Sequence, residues 1–208
     1  MVMLQNLKDS CKKVWRFLWH SNHPLSWLAD FVLAFVLIKF VFYPVLGWSL
    51  GTAYPIVAVV SGSMEHDGRF DEWWNSQTAQ CNGAFCTQRE WYERIGIEKE
   101  EFVRFPFSNG FNRGDLMIVY SPKKIKVGEV IVFKIDSRAD PIIHRVVKIE
   151  ELADGSRRFV TKGDHNPRNA EYEKALPENK VLGKAVARIP LLGWIKIGFI
   201  SIARAFVG

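Results

Sequence analysis

The sequence predicts a mainly β protein in which a compact antiparallel β domain is anchored by an N-terminal transmembrane helix. Two observations carry this prediction. Residues 25–50 read LSWLADFVLAFVLIKFVFYPVLGWSL, an apolar run long enough for a bilayer core that needs about 20 residues. Residues 54–188 contain short segments rich in Val and Ile, separated by turns and almost without helical periodicity. The 208 residues suffice for one such domain and are too few for two large ones.

Residues 1–24 are predicted to form a cytoplasmic or interfacial amphipathic helix. Apolar side chains recur there at helical spacing, and basic side chains occupy another face. The apolar positions are Leu4, Leu7, Cys11, Val14 and Leu18, and the basic ones are Lys8, Lys12 and Arg16. The alternative is a short cytoplasmic helix that packs on no particular surface.

The charges around the apolar run predict its orientation. Four bases precede the run, against the single acid Asp9. They are Lys8, Lys12, Lys13 and Arg16. The positive-inside rule therefore places the N-terminus in the cytoplasm and the β domain outside. Lys39 lies deep in the run, where it must snorkel, pair or face protein. A cleavable signal peptide fits less well, because the run is too long and no cleavage site of small residues follows it.

The net charge of +6 is dispersed along the chain, without a zinc-finger spacing or a Gly/Arg tract. This pattern favours anionic lipid over nucleic acid as a partner.

Six segments of the outer domain are predicted strands, and residues 157–162 should pair with 142–150 in a hairpin that turns at Asp154-Gly155. The segments are residues 54–60, 114–120, 126–133, 142–150, 157–162 and 181–188.

An aromatic-rich insertion, residues 68–113, interrupts this pattern, with helices expected at residues 70–75 and 88–94. Two interpretations stay open: a cap that packs on the sheet, or a lid that faces substrate or membrane. Within it, Cys81 and Cys86 fit a disulfide on the outer side of a membrane, while a zinc site would lack two ligands. Residues 189–208 are predicted to form an apolar helix, either a second span or a helix lying in the interface.

Three segments, which contain Ser63, His144 and Asp164, indicate nucleophilic catalysis. Ser63 lies in the turn Ser61-Gly62-Ser63-Met64-Glu65, and a serine hydroxyl needs a base to take its proton. His144 is the candidate base, and Asp164 is the candidate carboxylate that orients it. Ser61 is a candidate oxyanion donor, together with the Ser63 amide. No cofactor or metal is expected, because side chains can supply the groups that this reaction needs.

The ordered motifs resemble those of type I signal peptidases, in the archaeal and endoplasmic-reticulum branch that uses histidine where the bacterial branch uses lysine. The resemblance covers about residues 35–67 and 114–195. It is carried by SGSME at 61–65, GDLMIV at 114–119, GEVIVF at 128–133, IHRV at 143–146, TKGDHNP at 161–167, GKAV at 183–186 and RIPLLG at 188–193.

The resemblance implies a signal-peptidase-like β domain and a membrane-bound serine endopeptidase that removes signal peptides from exported preproteins after small residues. It implies localisation in the cell membrane, and partners that include preprotein signal peptides, the lipid bilayer, and translocation machinery or other subunits. Two alternatives remain: a noncatalytic membrane-anchored module that binds signal peptides, or a membrane peptidase that acts on other surface proteins.

The chain departs from the family pattern in three places. His66 stands where proline is common, so the turn after the serine is less rigid. The usual second aspartate is missing, and Asn169-Ala170-Glu171 occupies its place, which makes Glu171 an alternative to Asp164 as the orienting acid. The insertion before Gly114 is also longer than usual, which affects substrate access rather than chemistry.

Overall fold

The computed structural model describes residues 23–195 and 197–198, together with residues 5, 8, 12, 15 and 16. The chain divides into two compact units, Met1–Ser49 and Leu50–Gly208. The amphipathic helix predicted for residues 1–24 lies almost wholly outside the described residues. Of the apolar helix predicted for residues 189–208, Ile189 instead ends a strand, and residues 193–195 and 197–198 are helical. The part of that prediction beyond residue 198 lies outside the described residues.

Most of the described residues of the first unit belong to a long apolar helix. His23 caps it by accepting a hydrogen bond from the Leu25 amide to Nδ1 (3.2 Å). It runs as an α-helix over Pro24–Leu37, a π-helical turn over Ile38–Phe42 and an α-helix over Tyr43–Leu50. The π turn stands just before Pro44, which supplies no amide hydrogen to the ladder.

This helix, Pro24–Leu50, is the one helix among the described residues that is long and apolar enough to cross a membrane, with 27 residues. Its large apolar side chains are exposed in the isolated chain. The predicted apolar helix is therefore confirmed, and its insertion into a bilayer stays a prediction.

The second unit contains a seven-stranded antiparallel sheet in the order β1-β4-β9-β5-β6-β7-β8, and a separate hairpin of β2 and β3. The strands are β1 Ile56–Ala58, β2 Ala79–Cys81, β3 Ala84–Cys86, β4 Leu116–Tyr120, β5 Val130–Phe133, β6 Ile142–Glu151, β7 Arg157–Lys162, β8 Leu176–Pro177 and β9 Val181–Ile189. One-turn 3₁₀ helices lie at Glu171–Glu173 and Glu178–Lys180. The predicted antiparallel β fold is confirmed.

The hairpin of β6 and β7 forms where the Asp154-Gly155 pair predicts it. Gly155 has a φ of 80°, which favours glycine, and the Asp154 carboxylate accepts a hydrogen bond from the Ser156 amide (2.9 Å). The register places Lys162 opposite Arg145 and Thr161 opposite Val146. The end of β7 therefore lies beside the part of β6 that carries His144.

The insertion builds a small aromatic core of its own on the sheet. Its helices span Phe70–Trp74, Gln88–Arg94 and Lys99–Phe102, so the two predicted helices are confirmed and the third was not predicted. Trp73, Trp74, Trp91, Tyr92 and Phe102 are buried together, and they pack with Val147 of β6 and Val160 of β7. This packing agrees with the interpretation of the insertion as a cap on the sheet.

The disulfide Cys81–Cys86 closes the β2–β3 hairpin, as the sequence predicts. Its turn, Asn82-Gly83, has positive φ at both residues (51° and 88°), the signature of a tight hairpin turn. The amide of Gln80 donates to the Pro167 carbonyl (2.7 Å), so the stapled hairpin is joined to the loop that follows β7.

Candidate active site

The Ser61–Glu65 turn is held at both ends. Before it, the Val59 amide donates to the Asp115 carbonyl (2.9 Å); within it, the Glu65 amide donates to the Gly62 carbonyl (3.0 Å). Met64 is fully buried in the core between β1, β4, β5 and β9. Burial of this side chain anchors the turn and leaves its neighbour Ser63 partly exposed.

His144 comes from the middle of the sheet, on β6 opposite Ile131 of β5. Its Nε2 lies 2.9 Å from the Ser63 Oγ. The side chain is buried, so the ring is held in place and can accept the hydroxyl proton without prior movement. The structure thus brings together the predicted nucleophile and the predicted base.

Glu173 is the carboxylate that contacts His144. Its Oε1 lies 2.5 Å from the His144 Nδ1 and accepts a second hydrogen bond from the Thr161 Oγ1 (3.1 Å). Its Oε2 accepts a hydrogen bond from the Ala170 amide (2.8 Å), which ties the acid to the start of the Glu171–Glu173 turn. The Glu173 side chain is fixed from three directions and is 1% exposed.

The structure differs here from the sequence-based expectation. Asp164, predicted to orient His144, instead accepts hydrogen bonds from the Arg145 Nη2 (2.7 Å), the Tyr92 hydroxyl (2.9 Å) and the His66 Nε2 (3.0 Å). The physical reason is strand geometry. His144 and Arg145 are consecutive in β6 and point to opposite faces of the sheet, so an acid that pairs with Arg145 lies on the far side from His144.

Glu171, the predicted alternative acid, is also not in contact with the base. Its side chain is 87% exposed and accepts a hydrogen bond from the Lys174 Nζ (2.6 Å). No sequence signal separates it from Glu173 two positions later, except that an acid at the third position of a short helical turn can reach back to the amide before it.

The Asp164 cluster is a buried ion pair with a strongly favoured charge state. Burial alone raises the pKa of Asp164, but the charge of Arg145 and hydrogen bonds from His66 and Arg145 outweigh burial and hold that pKa well below its usual range. Burial, with the nearby Asp164 charge, raises the pKa of Tyr92 well above 10. Tyr92 therefore stays a hydrogen-bond donor to an ionised carboxylate.

Lys162 is a further buried ionisable side chain in this region. Its Nζ donates to the Gln88 Oε1 (2.9 Å) and to the carbonyls of Gly163 and Asp164 (both 3.1 Å). It lies over the Trp91 ring, 4.9 Å from the centroid. Burial lowers the pKa of Lys162 to about 7.

An open cleft of about 680 Å³ gives access to Ser63 and His144. Its lining includes Val60, residues 61–63, Glu65 and residues 138–143. The Ser61 Oγ lies 3.2 Å from the Ser63 Oγ, at the edge of the cleft. Within the described part of the chain, no acceptor takes the Ser63 amide hydrogen, so this donor is available to a bound group.

Nothing in the described residues resembles a metal centre, because they contain no cluster of three His, Cys, Asp or Glu side chains that could hold an ion. The arrangement suits covalent catalysis by serine, in which a base and a buried acid activate a hydroxyl beside a groove.

Comparison with known proteins points to peptidases. No protein-family model matches the chain. The chain is similar to the signal peptidase complex catalytic subunit SEC11C of Homo sapiens, with 36% identity over 94 residues, which is 42% of this chain and 49% of that protein. It is also similar to the catalytic subunit SEC11 of Yarrowia lipolytica, with 34% identity over 97 residues (42% and 54% of the two chains).

A third relative is the SEC11 subunit of Plasmodium falciparum, with 32% identity over 93 residues, covering 42% of this chain and 50% of that protein. The chain thus spans about half the length of the curated relatives it matches. These similarities support a relationship to signal peptidases of the endoplasmic-reticulum type.

Proposed function

We propose that this protein is a membrane-anchored serine endopeptidase that removes signal peptides from exported preproteins. The observation that carries the proposal is the hydrogen-bonded series Ser63–His144–Glu173, of which Ser63 and His144 line an open cleft. Similarity to catalytic subunits of signal peptidase complexes supports the choice of substrate.

In the proposed reaction, the Ser63 Oγ attacks the carbonyl carbon of the scissile bond while His144 takes the hydroxyl proton at Nε2. Glu173, at the His144 Nδ1, fixes the tautomer and stabilises the charged ring. The Ser63 amide and the Ser61 hydroxyl stabilise the oxyanion. His144 then gives its proton to the leaving amine, and a water molecule hydrolyses the ester formed at Ser63.

The substrate would bind as an added strand. β1 lies at one edge of the seven-stranded sheet and leads directly into the Ser61–Glu65 turn. An extended peptide can pair with such an edge and place alternate side chains against the cleft. Small residues before the scissile bond, as in the family that this chain resembles, are the proposed requirement.

The Pro24–Leu50 helix is proposed to hold the catalytic unit at the outer face of the cell membrane, with the N-terminus in the cytoplasm. Tethering restricts enzyme and substrate to the same surface and so raises their effective concentration. Further subunits are proposed as partners, because the relatives are named as subunits of a complex.

A panel of preproteins tests the proposal with detergent-solubilised protein. The preproteins carry Ala or Leu at the last and third-last positions of the signal peptide, and S63A is the inactive control. We expect wild type to cleave the Ala substrates and S63A to cleave none. Cleavage without preference for small residues would favour a peptidase for other surface proteins. No cleavage by wild type in the panel would favour a binding module.

A further inference from the structure

His66 is a buried side chain outside the proposed catalytic series. Its imidazole is 1% exposed and stacks on the Trp73 ring, with centroids 3.6 Å apart and an interplanar angle of 4°. On another side it meets Gly110, where an added Cβ would lie 2.7 Å from the His66 Cδ2. The ring is therefore held tightly between two parts of the insertion, its first helix and the segment near its end.

The hydrogen bond of His66 defines its role as a donor. The Asp164 carboxylate stays ionised and can only accept, so the His66 Nε2 carries the hydrogen in the 3.0 Å contact to the Asp164 Oδ2. The Nδ1 of the same ring is buried and has no hydrogen-bond partner within the described part of the chain. Among the described residues, the His66 side chain thus has one hydrogen-bond partner, Asp164.

Asp164 joins two parts of the candidate active site through this contact. His66 stands three residues after Ser63, at the end of the turn that carries the nucleophile. Asp164 is also paired with the charged Arg145, the residue next to His144 in β6. A continuous series of contacts therefore leads from the turn of Ser63, through a buried carboxylate, to the strand of His144.

We propose that His66 is a positioning residue: its hydrogen bond to Asp164 fixes the Ser63 turn relative to β6 and so sets the distance between the Ser63 Oγ and the His144 Nε2. This inference rests on the proposed function. Because misplacement of reacting groups by about 1 Å can cost about a hundredfold in rate, loss of the bond should slow the chemical step and leave preprotein binding unchanged.

Three variants in the full-length protein test this role. His66→Phe keeps a ring to stack on Trp73 but removes the donor, and His66→Gln restores a donor at the position of Nε2. Phe70→Leu is the matched control, because Phe70 packs on Trp73 (5.9 Å between centroids) without a part in the polar contacts. The measurements are the single-turnover rate of preprotein cleavage at saturating enzyme, the half-saturating enzyme concentration and the thermal unfolding midpoint.

We expect His66→Phe to lower the saturating rate by about tenfold or more, with the half-saturating concentration within about twofold of wild type. His66→Gln should recover most of the rate, and Phe70→Leu should keep it. If His66→Phe does not fold, His66→Met replaces it as the donor-free variant. Its saturating rate is then compared with that of His66→Gln in the same way.

A donor-free variant that cleaves at the wild-type rate would overturn the inference. So would a His66→Gln as slow as the donor-free variant, or a Phe70→Leu equally slow, since the hydrogen bond would then not be the cause. In each of these cases wild type still cleaves and the proposed function stands. Wild type that cleaves no preprotein would instead overturn the proposed function, and this inference with it.

Discussion

Replacing Glu173 by glutamine tests whether the buried acid beside His144 assists the reaction. The change keeps the size of the side chain and one acceptor oxygen, but it removes the negative charge 2.5 Å from the His144 Nδ1. Both side chains are almost fully buried, at 6% and 1% exposure, so water screens the pair little. The charge matters most when His144 has taken the Ser63 proton.

The magnitude follows from the geometry. The ring and carboxylate charges are delocalised, so their centres lie about 4 Å apart, and at an effective dielectric constant of about 20 their attraction is about 4 kcal/mol. Loss of that attraction in the transition state corresponds to a rate about a thousandfold lower, since about 1.4 kcal/mol is a factor of ten. The free energy of unfolding should fall by less than about 2 kcal/mol, because an acceptor oxygen remains.

The assay is single-turnover cleavage of a preprotein in detergent by wild type, E173Q and the matched control E171Q, with thermal unfolding in parallel. Glu171 lies in the same 3₁₀ turn, two residues before Glu173, but it is exposed, so E171Q should cleave at the wild-type rate. If folded E173Q kept its rate within about tenfold, or if E171Q lost activity instead, the assignment of Glu173 as the orienting acid would be refuted.

Three further predictions concern stability. D164N should lower the free energy of unfolding by about 3–5 kcal/mol, because it leaves the Arg145 charge buried without its partner, and urea denaturation measures this. Burial lowers the pKa of Lys162 to about 7 while the unfolded chain keeps a value of about 10.4, so the folded state binds fewer protons between these values. The free energy of unfolding should therefore rise with pH above 7 by up to about 1.4 kcal/mol per unit, and the difference between wild type and K162M across pH 6–10 checks it. The double variant C81S/C86S should lose about 2 kcal/mol, the chain-entropy value for so short a loop, and a calorimetric scan without reductant detects it.

Local patterns predicted most of the fold. Segments rich in Val and Ile predicted six of the strands, whereas the short strands β2, β3 and β8 were not predicted. Asp154-Gly155 predicted the β6–β7 turn, because turn chemistry acts between neighbouring residues. The helix Gln88–Arg94 begins at Thr87 with Glu90 three residues on, and both capping bonds form, so its start is also local. The strand order of the sheet depends on long-range pairing, and no local signal specified it.

Only part of the candidate site was predictable, because the choice of the acid depends on long-range packing and not on a local pattern. Ser63 and His144 stand in distinctive motifs, whereas the acid is chosen by the face of β6 that each carboxylate reaches. Asp164 lies in the more distinctive motif, but its side chain compensates Arg145 on the opposite face. Glu173 reaches His144 because a 3₁₀ turn after β7 brings it back over the sheet, and the sequence does not reveal the path of that loop.

The most direct test of the whole account is the single-turnover cleavage of one Ala-containing preprotein by wild type and S63A in the same detergent. Mass spectrometry of the products locates the bond that is cut. Wild type should make one cut, after the small residue that ends the signal peptide, and S63A should give no product above background. Cleavage by S63A at the wild-type rate and at the same bond would contradict it.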